Sequence, residues 1–215
     1  MNPSLLLRSL TMASAVVMIA GCAADQNLDR INGEQTATIR SLNQELKRVN
    51  SELEAVMASR DDFEKAKATI EKKMEKEMAG GDLSVGMESR GLVVTVLDRI
   101  LFDSGRIELK NSALATLDKL AQVLQTELPA NMIYIEGHTD DEPIRLSAWR
   151  SNWELSTARA LEVLHYFIDA GNLNPKRLAA TGYGEFHPVV PNHSPEEKSG
   201  NRRVEIVVSH KKYTE

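Results

Sequence analysis

The residues best suited to bind a small ligand lie between positions 136 and 160, EGHTDDEPIRLSAWRSNWELSTARA. The apolar run at 132–135, MIYI, predicts a short buried strand. This strand ends abruptly in Gly137, His138, Thr139 and Asp140. The strand therefore delivers the Asp140 carboxylate to a loop.

A helix is expected to begin just after this loop. Ser151 and Glu154 have the Ser-x-x-Glu spacing of a capping box. Asn152, Ser156 and Arg159 then follow at intervals of four and three residues, so they share one face of the helix. Arg159 adds a guanidinium group, and the first turn adds free backbone N–H groups.

An acid at a strand end and an arginine on the next helix suit a zwitterion such as an amino acid. The ammonium group would bind Asp140, and the carboxylate would form a bidentate pair with Arg159, helped by the Asn152 amide and the helix N-terminus. From these residues alone, a structural salt bridge between Asp140 and Arg159 is an equally good interpretation.

Three motifs carry a resemblance to a known family: GHTD at 137–140, NWELSTARA at 152–160 and NRRVEI at 201–206. In this order they resemble the peptidoglycan-binding domain shared by OmpA, Pal and MotB, over roughly residues 92–209. The second motif is most similar to the MotB branch. The resemblance implies that Asp140 and Arg159 hold the ammonium and carboxylate of diaminopimelate in uncrosslinked peptidoglycan stems, with Asn152 assisting.

The resemblance also implies that Asn201 and Arg202 lie near the binding face, although a solvated strand end is an equally good interpretation of both. His138 is expected to order the turn at the strand end. The predicted ligand-binding set is Asp140, Arg159, Asn152, Thr139, His138, Asn201 and Arg202.

The remaining polar residues do not predict catalysis. Imidazoles and acids are numerous, but no HExxH or comparable ligand spacing occurs among them. No G-x-S-x-G nucleophile motif appears either. We therefore predict no catalytic residue, no metal site and no cofactor, and keep a peptidoglycan-acting metal hydrolase as the least favoured alternative. The imidazoles and acids that could suggest such a metal site are His138, Asp140, Asp141, Glu142, His165, His187 and His193.

The N-terminal segment predicts a lipoprotein leader. An apolar run at 10–21 follows Arg8. A membrane-spanning helix needs about 20 residues, so this run is too short to cross a bilayer. It ends in IAGC at 19–22, which resembles a bacterial lipobox. The resemblance implies cleavage before Cys22 and acylation of this residue, the only cysteine; an incidental cysteine is the alternative. Residue 23 is alanine and not the aspartate of an inner-membrane retention signal, so we expect an anchor in the outer membrane, facing the periplasm.

Residues 27–79 predict a helical stalk. The segment has no proline, one glycine and many charged residues. Apolar residues at 39, 42, 46, 49, 53 and 56 follow a three-four repeat, which Arg60 and Lys67 then interrupt. A coiled coil that forms a homo-oligomer and an isolated solvated helix are comparable interpretations. Some fifty helical residues reach roughly 75 Å, the order of distance from an outer membrane to a cell wall.

The predicted organisation is a signal peptide (1–21), an acylated N-terminus (22–26), the stalk (27–79), a glycine hinge (80–82) and the OmpA-like domain (83–212). The domain is expected to be an α+β sandwich, βαβαββ, with helices on one face of a mixed sheet and a weaker strand near 83–87 in a hairpin with 91–97.

These features predict a non-catalytic lipoprotein that ties the outer membrane to peptidoglycan. Its expected partners are diaminopimelate-containing stem peptides, the outer membrane and other envelope proteins. The net charge of −5, with no basic stripe, predicts no nucleic-acid binding. The main alternative is an accessory or localisation subunit of a flagellar motor or another envelope complex.

Overall fold

The computed structural model describes residues 3–144 and 149–213, with side chains for 30–54, 56–144 and 149–213. The chain divides into two compact units, Met1–Ala55 and Val56–Glu215. The predicted leader and the Cys22 side chain lie outside the residues whose side chains are described.

The first unit is formed by the first part of a long helix, α1, Pro3–Lys73. The apolar seam at Ile39, Leu42, Leu46, Val49 and Leu53 is 45–58% exposed. Arg48 pairs on the helix surface with Glu45 and Glu52. The long helix predicted for the stalk is therefore confirmed. Within the described residues, no helix has the length and apolarity needed to cross a membrane.

The second unit includes the last part of α1. Phe63, Ala66, Ile70 and Met74 are fully buried in the same hydrophobic core as the sheet and the other helices. The sequence places the boundary between stalk and head at 80–82, whereas the structure divides the chain at 55/56. The reason is that the apolar seam continues beyond Arg60 and packs against the head.

A five-stranded mixed sheet forms the centre of this unit, with the strand order β1-β2-β5-β3-β4. Only β3 and β4 are parallel, and the other neighbouring strands are antiparallel. The strands are β1 Leu83–Glu88, β2 Gly91–Leu97, β3 Asn131–His138, β4 Leu178–Gly182 and β5 Arg203–Lys212. The remaining helices are α2 Glu75–Ala79, α3 Asp98–Leu101, α4 Asn111–Thr126, α5 Asn152–Asp169 and α6 Pro195–Asn201, with a 3-10 turn at Pro175–Arg177.

One face of the sheet carries the core. Ile133 and Ile135 on β3 and Ile206 on β5 are fully buried in the cluster that includes residues of α1, α4 and α5. Because side chains alternate along a strand, Tyr134 and Glu136 lie on the opposite face. The predicted α+β fold, with helices on one face of a mixed sheet, is confirmed.

Two short helices connect elements of this unit. Helix α3 ends at Leu101, and Phe102, which follows it, is buried. The segment between β4 and β5 contains α6, which Ser194 and Glu197 cap reciprocally with Pro195 in the first turn. This Ser-Pro-Glu-Glu sequence is a capping-box signal that the sequence analysis missed.

Candidate functional site

The register of the three central strands brings loop residues together at one end of the sheet. Arg203, the first residue of β5, is the register partner of both Leu97 at the end of β2 and His138 at the end of β3. The residues just beyond these strand ends are Asp98, Asp140 and Arg202. The Asp98 N–H also donates to the Arg202 carbonyl at 2.9 Å.

Helix α5 approaches this end of the sheet very closely. A Cβ atom on Gly137 would lie 2.0 Å from the Ser156 carbonyl oxygen, and a Cβ on Gly182 would lie 2.2 Å from Thr157 Oγ1. The fully buried Ser156 hydroxyl accepts a hydrogen bond from the Gly184 N–H at 3.0 Å. Only glycine permits this contact between strand and helix, which fixes the position of Arg159.

The helix start is capped largely as predicted. The Ser151 side chain accepts a hydrogen bond from the Glu154 N–H at 3.4 Å. The Glu154 carboxylate accepts from the N–H of Arg150 at 2.8 Å, one residue before the position expected for a capping box. Asn152, Ser156 and Arg159 are all buried on one helix face, as the spacing predicts.

A groove of about 640 Å³ lies where these elements meet. Five predicted site residues line it: Thr139, Asp140, Asn152, Arg159 and Arg202. Among the described residues, four acidic and four basic side chains contribute to its lining. The acids are Asp98, Asp103, Asp140 and Glu142, and the bases are Arg99, Lys110, Arg159 and Arg202.

Arg159 is held by a partner that the sequence analysis did not identify. Its Nη1 lies 3.0 Å from Asp98 Oδ1, and both side chains are buried. Its Nε donates to the Arg106 carbonyl at 3.1 Å, and its guanidinium carbon lies 5.2 Å from the centre of the Phe102 ring. The salt bridge considered from the sequence, between Asp140 and Arg159, is therefore replaced by one between Asp98 and Arg159.

Asp140 pairs with the second arginine of the groove. Its Oδ2 contacts Arg202 Nη1 at 2.5 Å, and its Oδ1 accepts from the Glu142 N–H at 3.2 Å. The Arg202 side chain is 37% exposed, whereas the Asp140 side chain is only 8% exposed. A cation that reaches the groove therefore meets a carboxylate whose present partner can move into solvent.

The charges in the groove perturb each other. Burial raises the pKa of Asp98, and Arg159 and Arg202 only partly oppose this shift. Burial also lowers the pKa of Arg159, with a further contribution from repulsion by Arg202. The guanidinium groups of Arg159 and Arg202 therefore lie near the same part of the groove. Two neighbouring guanidinium groups favour the binding of a carboxylate.

Asn152 and Thr139 add neutral polar groups. The Asn152 amide donates to the Glu142 carbonyl at 3.1 Å and also contacts the Glu185 carboxylate. The Thr139 hydroxyl is buried and makes no hydrogen bond to any residue that the structure describes. Because buried hydroxyl groups usually have a partner, Thr139 is a candidate ligand contact.

Two predicted residues are absent from the groove lining. Asn201 is fully buried, and its amide holds the loop before α6 by accepting from Val189 and Val190 and donating to Val190 and Asn192. His138 lines a different cavity, together with Glu136, which lies on the same face of β3. The hydrogen bonds expected to order the strand-end turn are not made by its ring nitrogens within the described residues.

Asp98 is the main site residue that the sequence analysis missed. A usable signal existed, because Asp98 follows the apolar strand β2 just as Asp140 comes soon after β3. Glu136, His138 and Glu205 also come together, with ligand atoms within 4.8 Å of one another. No spacing motif could reveal this second cluster, since it combines two strands that are distant in sequence.

Comparisons with known proteins identify the family of the chain. The model of the OmpA family matches residues 101–202. A crystal structure described as a putative MotB like protein from Desulfovibrio vulgaris is 30% identical, with a TM-score of 0.64, over 74% of this chain and 98% of that chain. The chain belongs to the OmpA family. The resemblance inferred from the three sequence motifs is thereby confirmed.

The chain is also similar to proteins with different descriptions. Motility protein B of Bacillus subtilis is 36% identical over 70% of this chain and 58% of that protein. The probable lipoprotein YiaD of Escherichia coli is 31% identical over 65% of this chain and 61% of that protein. The cell wall anchor of the T6SS from Pseudomonas aeruginosa is 28% identical, with a TM-score of 0.59, over 65% of this chain and 96% of that chain. The chain thus spans little more than half the length of the curated relatives it matches.

Proposed function

We propose that this protein is a non-catalytic tether that binds peptidoglycan through the groove at the end of its sheet. The observation that carries the proposal is the arrangement of Asp140, Arg159 and Arg202 around one charge-balanced groove. A groove lined by charges of one sign would repel either the ammonium or the carboxylate of a zwitterion. This groove offers charges of both signs. Membership of the OmpA family and the likeness to a cell wall anchor support the same ligand.

The ligand we propose is the free end of diaminopimelate in an uncrosslinked stem peptide. Its ammonium group would take the place of the Arg202 guanidinium on Asp140. Its carboxylate would bind Arg159 and the displaced Arg202, and the Thr139 hydroxyl and the Asn152 amide would contact the remaining polar atoms. Each charge-assisted contact contributes about 1.5–3 kcal/mol, so a single stem binds modestly and many copies on one wall bind by avidity.

A pull-down of the full-length chain with purified sacculi tests the groove. We expect the wild type to sediment with sacculi and Asp140→Ala to remain in the supernatant. Asp141→Ala is the matched control, because Asp141 is the adjacent, exposed acid, pairs with Lys198 and is absent from the groove lining. Equal sedimentation of Asp140→Ala and Asp141→Ala would contradict the assignment. No release of soluble fragments from the sacculi is expected, and metal-dependent release would favour the hydrolase alternative.

For the anchor, we propose that Cys22 is acylated and holds the protein in the outer membrane, facing the periplasm. The apolar run before Cys22 supports this, as does the relative described as a probable lipoprotein. Labelled palmitate should be incorporated by the wild type and not by Cys22→Ser. Recovery of the labelled protein in the inner-membrane fraction would contradict the proposed location.

A second candidate function is an accessory role at a flagellar motor or another envelope complex. The likeness to motility protein B and to the cell wall anchor of the T6SS favours it. In this case the same groove would position a partner complex on the wall. Deletion would then abolish motility or the activity of another machine while leaving the envelope intact, whereas a general tether predicts leakage of periplasmic contents.

A further inference from the structure

A second polar cluster lies on the face of the sheet opposite the hydrophobic core that contains residues of α1, α4 and α5. Glu136 and His138 project from β3, and Glu205 of β5 is the register partner of Glu136. All three residues are buried, and their ligand atoms lie within 4.8 Å of one another. The cluster lines a cavity of about 440 Å³ that shares no lining residue with the groove.

His138 is the residue that points to a ligand. It is 4% exposed, and neither ring nitrogen makes a hydrogen bond to a residue that the structure describes. Its ring stacks on Tyr183 with centroids 5.2 Å apart, and this contact uses no polar atom. Because polar atoms buried in proteins normally have a partner, an imidazole with two unpaired nitrogens is well suited to bind an additional group.

The three side chains are of the types that bind transition metal ions. A neutral imidazole offers a lone pair, and the carboxylates of Glu136 and Glu205 supply negative charge.

Arg90 competes for the same carboxylates. Its Nη1 lies 2.6 Å from Glu136 and its Nη2 lies 2.8 Å from Glu205. Arg90 sits at the hairpin between β1 and β2 with its side chain 40% exposed, so it can move into solvent without disturbing the core. Arg90 thus pairs with Glu136 and with one oxygen of Glu205, whose other oxygen accepts a hydrogen bond from Nε of the buried Arg203 at 2.6 Å. These contacts leave His138 without a partner, whereas a divalent ion that displaces Arg90 would contact all three residues.

We propose that Glu136, His138 and Glu205 form a binding site for a divalent first-row transition metal ion, and that Arg90 closes this site when the ion is absent. Zn²⁺ binds imidazole nitrogen and carboxylate oxygen at about 2.0–2.2 Å, which places tetrahedral ligand atoms roughly 3.4 Å apart. Small side-chain rotations from the present spacing would produce this geometry. The exposed ring of His187, 6.4 Å from that of His138 between centroids, is available as a fourth ligand.

Titration calorimetry of the metal-free full-length chain with zinc chloride tests the site. We expect one Zn²⁺ per wild-type chain and binding at least tenfold weaker in His138→Gln. Arg90→Gln should bind Zn²⁺ at least threefold more tightly, since it removes the competing cation. His165→Gln is the control, because it removes an exposed imidazole outside the cluster and should leave the affinity unchanged.

Two results would overturn the proposal: no Zn²⁺ binding by both the wild type and Arg90→Gln, or equal binding by the wild type and His138→Gln. A thermal unfolding scan accompanies each titration. If His138→Gln does not fold, the comparison of Arg90→Gln with the wild type decides the matter, because the Arg90 side chain is 40% exposed and lies at the β1–β2 hairpin.

Discussion

At the scale of single residues, Arg159 has a structural role in addition to its proposed contact with ligand. It forms a buried pair with Asp98, and removal of one member leaves the other charge buried without its partner. We expect Arg159→Ala to lower the free energy of unfolding by about 3–5 kcal/mol. Urea unfolding of the full-length chain, monitored by circular dichroism, measures this change.

The double variant Asp98→Asn/Arg159→Ala separates this structural effect from the loss of a ligand contact. It should recover part of the lost stability, because the unpaired acid is also removed, and yet remain unable to bind sacculi. Equal stability of Arg159→Ala and the wild type would show that Asp98 and Arg159 are not energetically coupled. The loss of sacculus binding can be assigned to the groove only for variants that remain folded.

His138 predicts a dependence of stability on pH. Its pKa is lowered from the ordinary value of 6.5 to about 4, mainly by burial, with Arg90, Arg203 and His187 acting in the same direction and Glu205 opposing them. The unfolded chain therefore binds a proton between these two values that the folded chain does not bind. Stability should fall by roughly 3 kcal/mol as the pH falls from 6.5 to 4.

The measurement is the free energy of unfolding of the wild type and of His138→Gln between pH 4 and pH 7, in EDTA to exclude metal ions. The variant should lose less stability over this range. Acidic groups contribute to both proteins, so the difference between the two curves isolates the imidazole. Parallel curves would contradict the inferred burial of a neutral His138.

At the scale of the secondary-structure elements, the contact between β3 and α5 determines the shape of the groove. Gly137→Ala would place a methyl group 2.0 Å from the Ser156 carbonyl, so the helix carrying Asn152 and Arg159 must move. We expect a loss of about 1–3 kcal/mol of stability together with weaker sacculus binding. The pull-down and urea unfolding measure the two effects.

Gly86→Ala is the matched control for this substitution. Gly86 lies on β1 with nothing within 4 Å of an added Cβ and without a positive φ angle. The stability and the sacculus binding of this variant should both remain close to those of the wild type. A Gly137→Ala protein that binds sacculi normally would show that the groove tolerates a shift of α5.

The seam of α1 in the first unit makes a separate prediction. Ile39, Leu42, Leu46, Val49 and Leu53 keep a strict three-four repeat and are largely exposed in the single chain. We expect these residues to form a coiled coil between copies of the chain. Light scattering should detect an oligomer of the full-length chain in detergent and a monomer for Leu42→Lys/Leu46→Lys. A monomeric wild type would favour the isolated helix.

At the scale of the whole molecule, the unit that contains the groove begins well before the first strand. Phe63, Ala66, Ile70 and Met74 are fully buried in its core. A chain that starts at Leu83 lacks these side chains and should unfold at a lower temperature than one that starts at Val56. The free energy of unfolding of the two chains should differ by several kcal/mol, because burial of each large apolar side chain contributes about 1.5–3 kcal/mol. Equal melting temperatures would place the boundary at the predicted hinge.

Features encoded over short stretches could be predicted from the sequence. Strand β3 follows from a run of apolar residues, the start of α5 follows from Ser151, and the shared face of Asn152 and Arg159 follows from helical spacing. Five of the seven predicted site residues line one groove, and one of them, Arg202, was predicted from the family resemblance. His138 and Asn201 lie outside this groove for local reasons, since a strand places neighbouring side chains on opposite faces and the Asn201 amide is hydrogen-bonded to its own loop.

The elements, the family and the polar residues at the strand ends could therefore be predicted from short stretches of the chain. Which of the charges meet could not. The pairing of Arg159 with Asp98 and of Asp140 with Arg202 depends on the strand order β1-β2-β5-β3-β4, which aligns the ends of β2 and β3 with the start of β5. Likewise, apolar residues follow one another along α1 both before and after Arg60. Only those after Arg60 are buried, because distant segments of the chain pack against them. Such contacts are set by the packing of whole elements, because burial stabilises a pair of surfaces and no short stretch contains both.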